Sequence, residues 1–258
     1  MKTFNNKIAL NLDADAEVSV KGFIAPIEYT KRNYHVEWDE LANLCVAEPE
    51  KQYPASVFQS FLPQEPVSVG ECWEIEEESA LTLLRQLNPS PQLDLEIGGE
   101  DSYGLWACLR AYNNAFAEIL FRIHAEFVLE KGWFAPSQLA GYMVIDRLKK
   151  KVVAFKMHVP DATLNFDVRW RIREGLRAAD AGFCPQMELC AGEQDVLQNA
   201  KFTEAITQEE ALHALMLRFY KSAQINWVSL EEALKMVPAQ QKPIHAISID
   251  GPLLDESC

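Results

Sequence analysis

Leu164-Asn165-Phe166-Asp167-Val168-Arg169-Trp170-Arg171-Ile172-Arg173 carries the clearest period-two pattern in the chain. Leu164, Phe166, Val168, Trp170 and Ile172 fall on one side, and Asn165, Asp167, Arg169, Arg171 and Arg173 on the other. Such alternation belongs to a strand with one packed and one polar face, the form common in antiparallel sheets. The three arginines make a local basic stripe. In an acidic chain the plain reading is a solvated strand face; an anion site or an acidic partner surface is the alternative.

The preceding segments follow the same pattern. Leu139–Ile145 and Val152–Val159 are strand-like runs joined by Asp146-Arg147-Leu148-Lys149-Lys150, a hairpin spacing. Ala117 to Leu129 alternates without interruption, with Glu118, Arg122, His124 and Glu126 mostly on the polar side. It reads as one long half-solvated strand, and His124 as an exposed strand residue. Residues 110–175 are therefore expected to form a curved antiparallel sheet of at least four strands. Farther back, Glu17 to Tyr29 is interrupted by Gly22 and Pro26 and reads as an edge or bulged strand. Pro49 to Pro66 reads as loop with short extended pieces. Glu71-Cys72-Trp73-Glu74-Ile75 is a short strand. Glu76-Glu77-Glu78 opens a helix carrying Leu81, Leu84 and Leu87, stopped by Asn88-Pro89.

The last third changes character. Thr207-Gln208-Glu209-Glu210 and Ser229-Leu230-Glu231-Glu232 are capping boxes. The first opens a helix with Leu212, Leu215, Met216 and Phe219 on one face. The second opens a helix through Ala233, Leu234 and Val237, stopped by Pro238. Ile225-Asn226-Trp227-Val228 and Ile244 to Ile249 read as strands, giving a βαβ unit. Two parallel strands need cover on both faces, so this unit reads as the first half of an α/β domain. The expected class is α+β: a mainly antiparallel β domain over 1–200, then an incomplete βαβ segment over 205–258.

Composition narrows the function. The chain has 258 residues, 24 Lys+Arg against 38 Asp+Glu, and a net charge of −14. That argues against nucleic acid, whose phosphates need a positive footprint. No apolar run approaches the roughly 20 residues that span a bilayer, and the start lacks a signal-peptide core. The expectation is a cytoplasmic protein without a membrane partner. Six cysteines stand at 45, 72, 108, 184, 190 and 258. No Cys-x-x-Cys occurs, so a zinc site is not expected, and most read as buried small hydrophobes. Asp13-x-Asp15 matches the start of an EF-hand loop, but Val18 and Ile24 stand where Gly and Glu are needed. No metal or cofactor is implied. A cysteine hydrolase is disfavoured, since no histidine is placed by sequence to activate a thiol.

Four segments in order carry a resemblance: Trp133-Phe134-Ala135-Pro136-Ser137-Gln138-Leu139-Ala140-Gly141-Tyr142, Phe155-Lys156-Met157-His158-Val159-Pro160, Leu164 to Trp170, and Gly182-Phe183-Cys184-Pro185-Gln186-Met187-Glu188-Leu189. With Lys242-Pro243-Ile244-His245 through Asp255-Glu256-Ser257-Cys258, this order resembles the selenoprotein N family. There the Ser-Cys is followed by selenocysteine and Gly. The resemblance covers residues 130–258. It implies that the βαβ segment opens a thioredoxin-like domain and that Cys258 is the catalytic cysteine of a thiol/selenol oxidoreductase. It also implies that the reading stops at a selenocysteine codon, so the chain as it stands has little or no redox turnover. A thiol at a helix N-terminus gains thiolate character, and an adjacent selenol completes the pair. The implied substrate is a disulfide, a peroxide or a protein thiol, and homo-oligomerisation stays open. The competing expectation is a non-enzymatic β-rich interaction or scaffold protein, in which the arginine face matters more than Cys258.

Overall fold

A computed structural model describes residues 6–93, 104–174, 176–219, 225, 227–241 and 243–246. In chain order the elements are β1 (Glu17–Ile24), β2 (Tyr29–Thr30), α1 (Tyr34–Glu37), α2 (Asp39–Ala42), β3 (Glu50–Pro54), α3 (Ala55–Gln59), β4 (Cys72–Glu74), α4 (Glu77–Leu87), β5 (Pro91–Gln92), β6 (Leu105–Tyr112), β7 (Phe116–Ile123), β8 (Glu126–Leu129), β9 (Gly132–Pro136), β10 (Leu139–Asp146), β11 (Lys151–His158), β12 (Phe166–Arg173), β13 (Leu176–Phe183), β14 (Met187–Gly192), β15 (Glu204–Ala205), α5 (Gln208–Phe219) and α6 (Leu230–Gln240).

The strands form two antiparallel sheets. The larger runs β15-β6-β7-β10-β11-β14-β1-β3, with β4 also on β6; the smaller runs β2-β13-β12-β9-β8-β5. The β10–β11 hairpin forms as its sequence predicts, closed by Asp146, which accepts from the Leu148 and Lys149 N–H groups. The period-two stretch becomes β12, with Phe166 and Val168 buried.

The single expected sheet over 110–175 is in fact divided between the two. Ala117–Leu129 is not one strand. It breaks at His124–Ala125, and β7 enters the larger sheet while β8 enters the smaller. Nor is it half-solvated: Arg122 on β7 and Glu126 on β8 are both 5% exposed, and β7 lies inside its sheet, covered on both faces. Gln92 donates to Glu126 at 2.6 Å, and Arg122 to Gln138, so these buried charges are hydrogen-bonded. β1 is not an edge strand either. The Pro49–Pro66 stretch supplies β3, which pairs with β1 and takes the edge, and α3.

Helices cover the larger sheet on both faces. After α3, Phe61 packs on Phe121 at 5.1 Å, and Phe58 of α3 packs on Phe155 at 5.2 Å. α4 buries Ala80, Leu83, Leu84 and Leu87 beside them. On the β6–β7 side, α5 buries Ala211, Leu215 and Phe219. Its capping box is made: Glu210 N–H donates to Thr207 Oγ1, and Thr207 N–H to Glu210 Oε2. The smaller sheet is packed by stacked Phe127, Phe134 and Phe166, and by Trp38 stacked on Trp170.

α6 has the expected Ser229–Glu232 capping box, but it runs through Pro238 to Gln240 instead of stopping there. Proline removes one backbone donor; the helix ends two residues later at Gln240, and Gln241 then turns left-handed with its N–H bonded to Val237 O. Of the expected βαβ strands, Ile225, Trp227 and Val228 are in no strand, and neither are Ile244 to Ala246; Asn226 and residues 247–250 lie outside the described residues. No described helix is long and apolar enough to cross a membrane.

Candidate functional site

Cys72 on the short β4 and Cys108 on β6 lie directly opposite one another. Local sequence explains the two strands. Glu71 to Ile75 alternates, and Leu105 to Tyr112 is a nearly continuous apolar run suited to a buried strand. The ladder fixes how close the thiols come. Leu109 N–H donates to Glu71 O and Ile75 N–H to Leu105 O. Hydrogen-bonded and non-hydrogen-bonded pairs alternate, so Cys72–Cys108 falls on a non-hydrogen-bonded pair, with α-carbons about 4.5 Å apart. That lies within the roughly 4.4–6.8 Å a disulfide requires. Both cysteines are free thiols.

Alternation also sorts the neighbours. Cys72 and Glu74 share one side of β4, facing Cys108 and Trp106 on β6. Trp73 points the other way and donates its indole N–H to Phe61 O at 3.0 Å. Above the thiol side lies the last turn of α5. Its Arg218 guanidinium sits 4.9 Å from the centre of the Trp106 ring and interacts with Cys72. The pair is therefore held between a cation and the sheet, with Cys108 fully buried and Cys72 half-buried.

The electrostatics divide the two thiols. The Cys72 thiol is held below its ordinary value, first by the hydrogen bond Cys108 donates to it; burial opposes this, and the charge and hydrogen bond of Arg218 add to it. The Cys108 thiol is pushed far up by that same hydrogen bond and by burial. Of the two sulfurs, Cys72 is the one that ionises first, and Cys108 keeps its proton. A half-buried thiol that ionises more readily than usual, with a buried protonated thiol beside it, is the composition of a dithiol exchange site. A cleft of about 840 Å³ opens alongside, lined among others by Glu74, Ile75, Gly104 and Leu105.

The remaining sites expected from sequence stand apart. Cys258 lies outside the described residues. Burial raises the thiols of Cys184 and Cys190 to about 11, and Cys184 S–H donates to Gln186 O. His158 is held below its usual value by burial and by Lys156. Of the arginine stripe, Arg171 lies 5.3 Å from the centre of the Trp133 ring, where Arg177 of β13 lies at the same distance. Among the described residues no group of three or more His, Cys, Asp or Glu could hold a metal ion. Sequence reading misses the Cys72–Cys108 pair because the two are distant in the chain and only strand register brings them together. Their shared placement in strand-like segments is visible, but it names no partner.

Three curated proteins are similar to this chain. Selenoprotein N of Danio rerio is 30% identical over 211 residues, 69% of this chain and 37% of that protein. Selenoprotein N of Mus musculus is 27% identical over 270 residues, 82% of this chain and 48% of that protein. Selenoprotein N of Homo sapiens is 27% identical over 272 residues, 83% of this chain and 46% of that protein. The chain thus spans less than half the length of these relatives. No family model and no solved structure matches.

Proposed function

Because the chain belongs to a selenoprotein N-like family, we propose that it is part of a thiol/selenol oxidoreductase whose Ser-Cys-selenocysteine-Gly centre includes Cys258. The observation that carries this reading is the family likeness, together with Ser257-Cys258, which resemble the family's residues before selenocysteine. In this reading a selenolate attacks a substrate disulfide and releases one thiolate. The Cys258 thiolate then attacks selenium, releases the second, and leaves a selenenyl-sulfide for an external thiol to reduce. On this reading the segment that includes α6 belongs to the opening of a thioredoxin-like domain, while Ala205 and α5 pack on the larger sheet. What supports treating α6 as part of a separate unit is its exposure: Leu230 and Leu234 are 61% and 59% exposed, an apolar surface that the sheet body does not cover.

Two measurements test this. The nucleotide sequence after codon 258 is expected to read UGA and then Gly in frame; any other stop codon overturns the selenocysteine reading. The extended protein, with selenocysteine inserted, is expected to reduce a disulfide, and Cys258→Ser to abolish most of that rate. Activity that survives the substitution removes Cys258 from the mechanism. A second reading, an interaction surface on the smaller sheet, is favoured by the exposed Arg171 and Arg177 flanking Trp133. It predicts no reductase activity in the extended protein.

A further inference from the structure

We propose that Cys72 and Cys108 form a second redox site in this chain, a cross-strand dithiol that closes reversibly to a disulfide by exchange with a small external disulfide. The inference is independent of Cys258 and rests on position. The two cysteines are register partners in a non-hydrogen-bonded pair, where the backbone spacing already suits an S–S bond without strand movement. Exposure assigns the roles. Cys72 is half-buried and reachable; Cys108 is fully buried and reachable only by its partner. Arg218 supplies the charge that keeps the outer sulfur nucleophilic, and Trp106 fixes the guanidinium from its other side.

The exchange runs in two steps. The Cys72 thiolate attacks one sulfur of the external disulfide, forming a mixed disulfide and releasing one small thiolate. Cys108 sulfur then attacks Cys72 sulfur, the second small thiol leaves, and the Cys108 proton departs with it. The protein dithiol loses two electrons, and the external disulfide becomes two thiols. An excess of the small thiol reverses both steps. Closure also takes from Arg218 the ionisable sulfur it interacts with. The redox state of β4 and β6 is thereby felt at the end of α5, the helix that leads toward residues 220–258.

The probe is oxidised glutathione, added to the full, reduced chain under anaerobic conditions. Trypsin can separate the two cysteines at Arg85, so non-reducing peptide mapping reads closure directly. The expected product is a Cys72–Cys108 linked peptide that reduced glutathione removes. Cys108→Ala, verified as folded by circular dichroism, is expected to trap the glutathione adduct on Cys72. Arg218→Gln is expected to slow closure about three- to tenfold at pH 7 but not at pH 9, where Cys72 ionises without help, and Arg218→Lys to restore most of the rate. A purely structural role for Arg218 would give the same loss at both pH values. Cys258→Ser is expected to leave closure unchanged. The proposal is overturned if no linked peptide forms in the unsubstituted chain, if the Cys108→Ala adduct sits on another cysteine, or if closure requires Cys258.

Discussion

Trp73 donates its indole N–H to the carbonyl of Phe61 at 3.0 Å, tying β4 to the segment that follows α3. β4 is three residues long and, among the described residues, pairs with β6 alone, so this bond is a main restraint on its second face. Trp73→Phe keeps an aromatic ring and removes the donor. A buried carbonyl that loses its partner costs about 1–3 kcal/mol. The expected outcome is an unfolding free energy lowered by that amount, read as a lower urea midpoint, with faster amide exchange in β4 than in β10 or β11.

The aromatic layer over the larger sheet should be the most sensitive part of the core. Phe155 is fully buried and lies 5.2 Å from Phe58, 5.5 Å from Phe121 and 6.0 Å from Phe61, measured between ring centres. Phe155→Ala is expected to cost about 3–5 kcal/mol, read from denaturant unfolding. Phe155→Leu, which keeps most of the volume, should cost less.

Asp167 gives a pH signature. Burial pushes its carboxyl up to about 7 from the ordinary 3.8, Arg169 and Lys31 oppose this, and Asp180 adds to it. Between these two values the folded chain holds a proton that the unfolded chain has released. The unfolded state binds fewer protons, so this residue's contribution falls as pH rises from about 4 to about 7. Asp167→Asn mimics the protonated form. It is expected to leave the melting temperature unchanged at pH 4 and to raise it at pH 8; an effect of equal size at both pH values would refute the assignment.

The Ser229 capping box should act locally. Ser229 Oγ accepts from Glu232 N–H, and Glu232 Oε2 accepts from Ser229 N–H. Ser229→Ala is expected to destabilise α6 by about 0.5–2 kcal/mol. With its apolar residues exposed, α6 contributes little to the sheet core. The loss should therefore appear as reduced exchange protection within α6, with the global unfolding midpoint unchanged.

Local chemistry is legible in the sequence where it acts over a few residues. The β10–β11 hairpin, the alternating β12 and both capping boxes can be read because turn residues and side-chain caps act on their neighbours. β3 cannot, since Glu50-Lys51-Gln52-Tyr53-Pro54 buries only Tyr53 and carries little apolar pattern. The passage from β7 to β8 is also hidden. The period-two phase runs unbroken across His124–Ala125, yet the chain changes sheets there. The thiol pair lies beyond local reading for a related reason: one register shift of β4 along β6 would part the two sulfurs.

The position of β1 has a consequence for synthesis. It lies between β3 and β14, so one of its neighbours follows it closely while the other ends at Gly192. On the ribosome, β1 and β3 can pair early, but the far edge of β1 stays bare until nearly the whole sheet body has emerged. At about 5–20 residues per second that interval is on the order of ten seconds or more. During it Val18, Val20 and Ile24, all buried in the finished fold, belong to a strand without its second neighbour. The nascent chain is then most open to edge-to-edge association, and a chaperone that covers the β1 edge would act in that window.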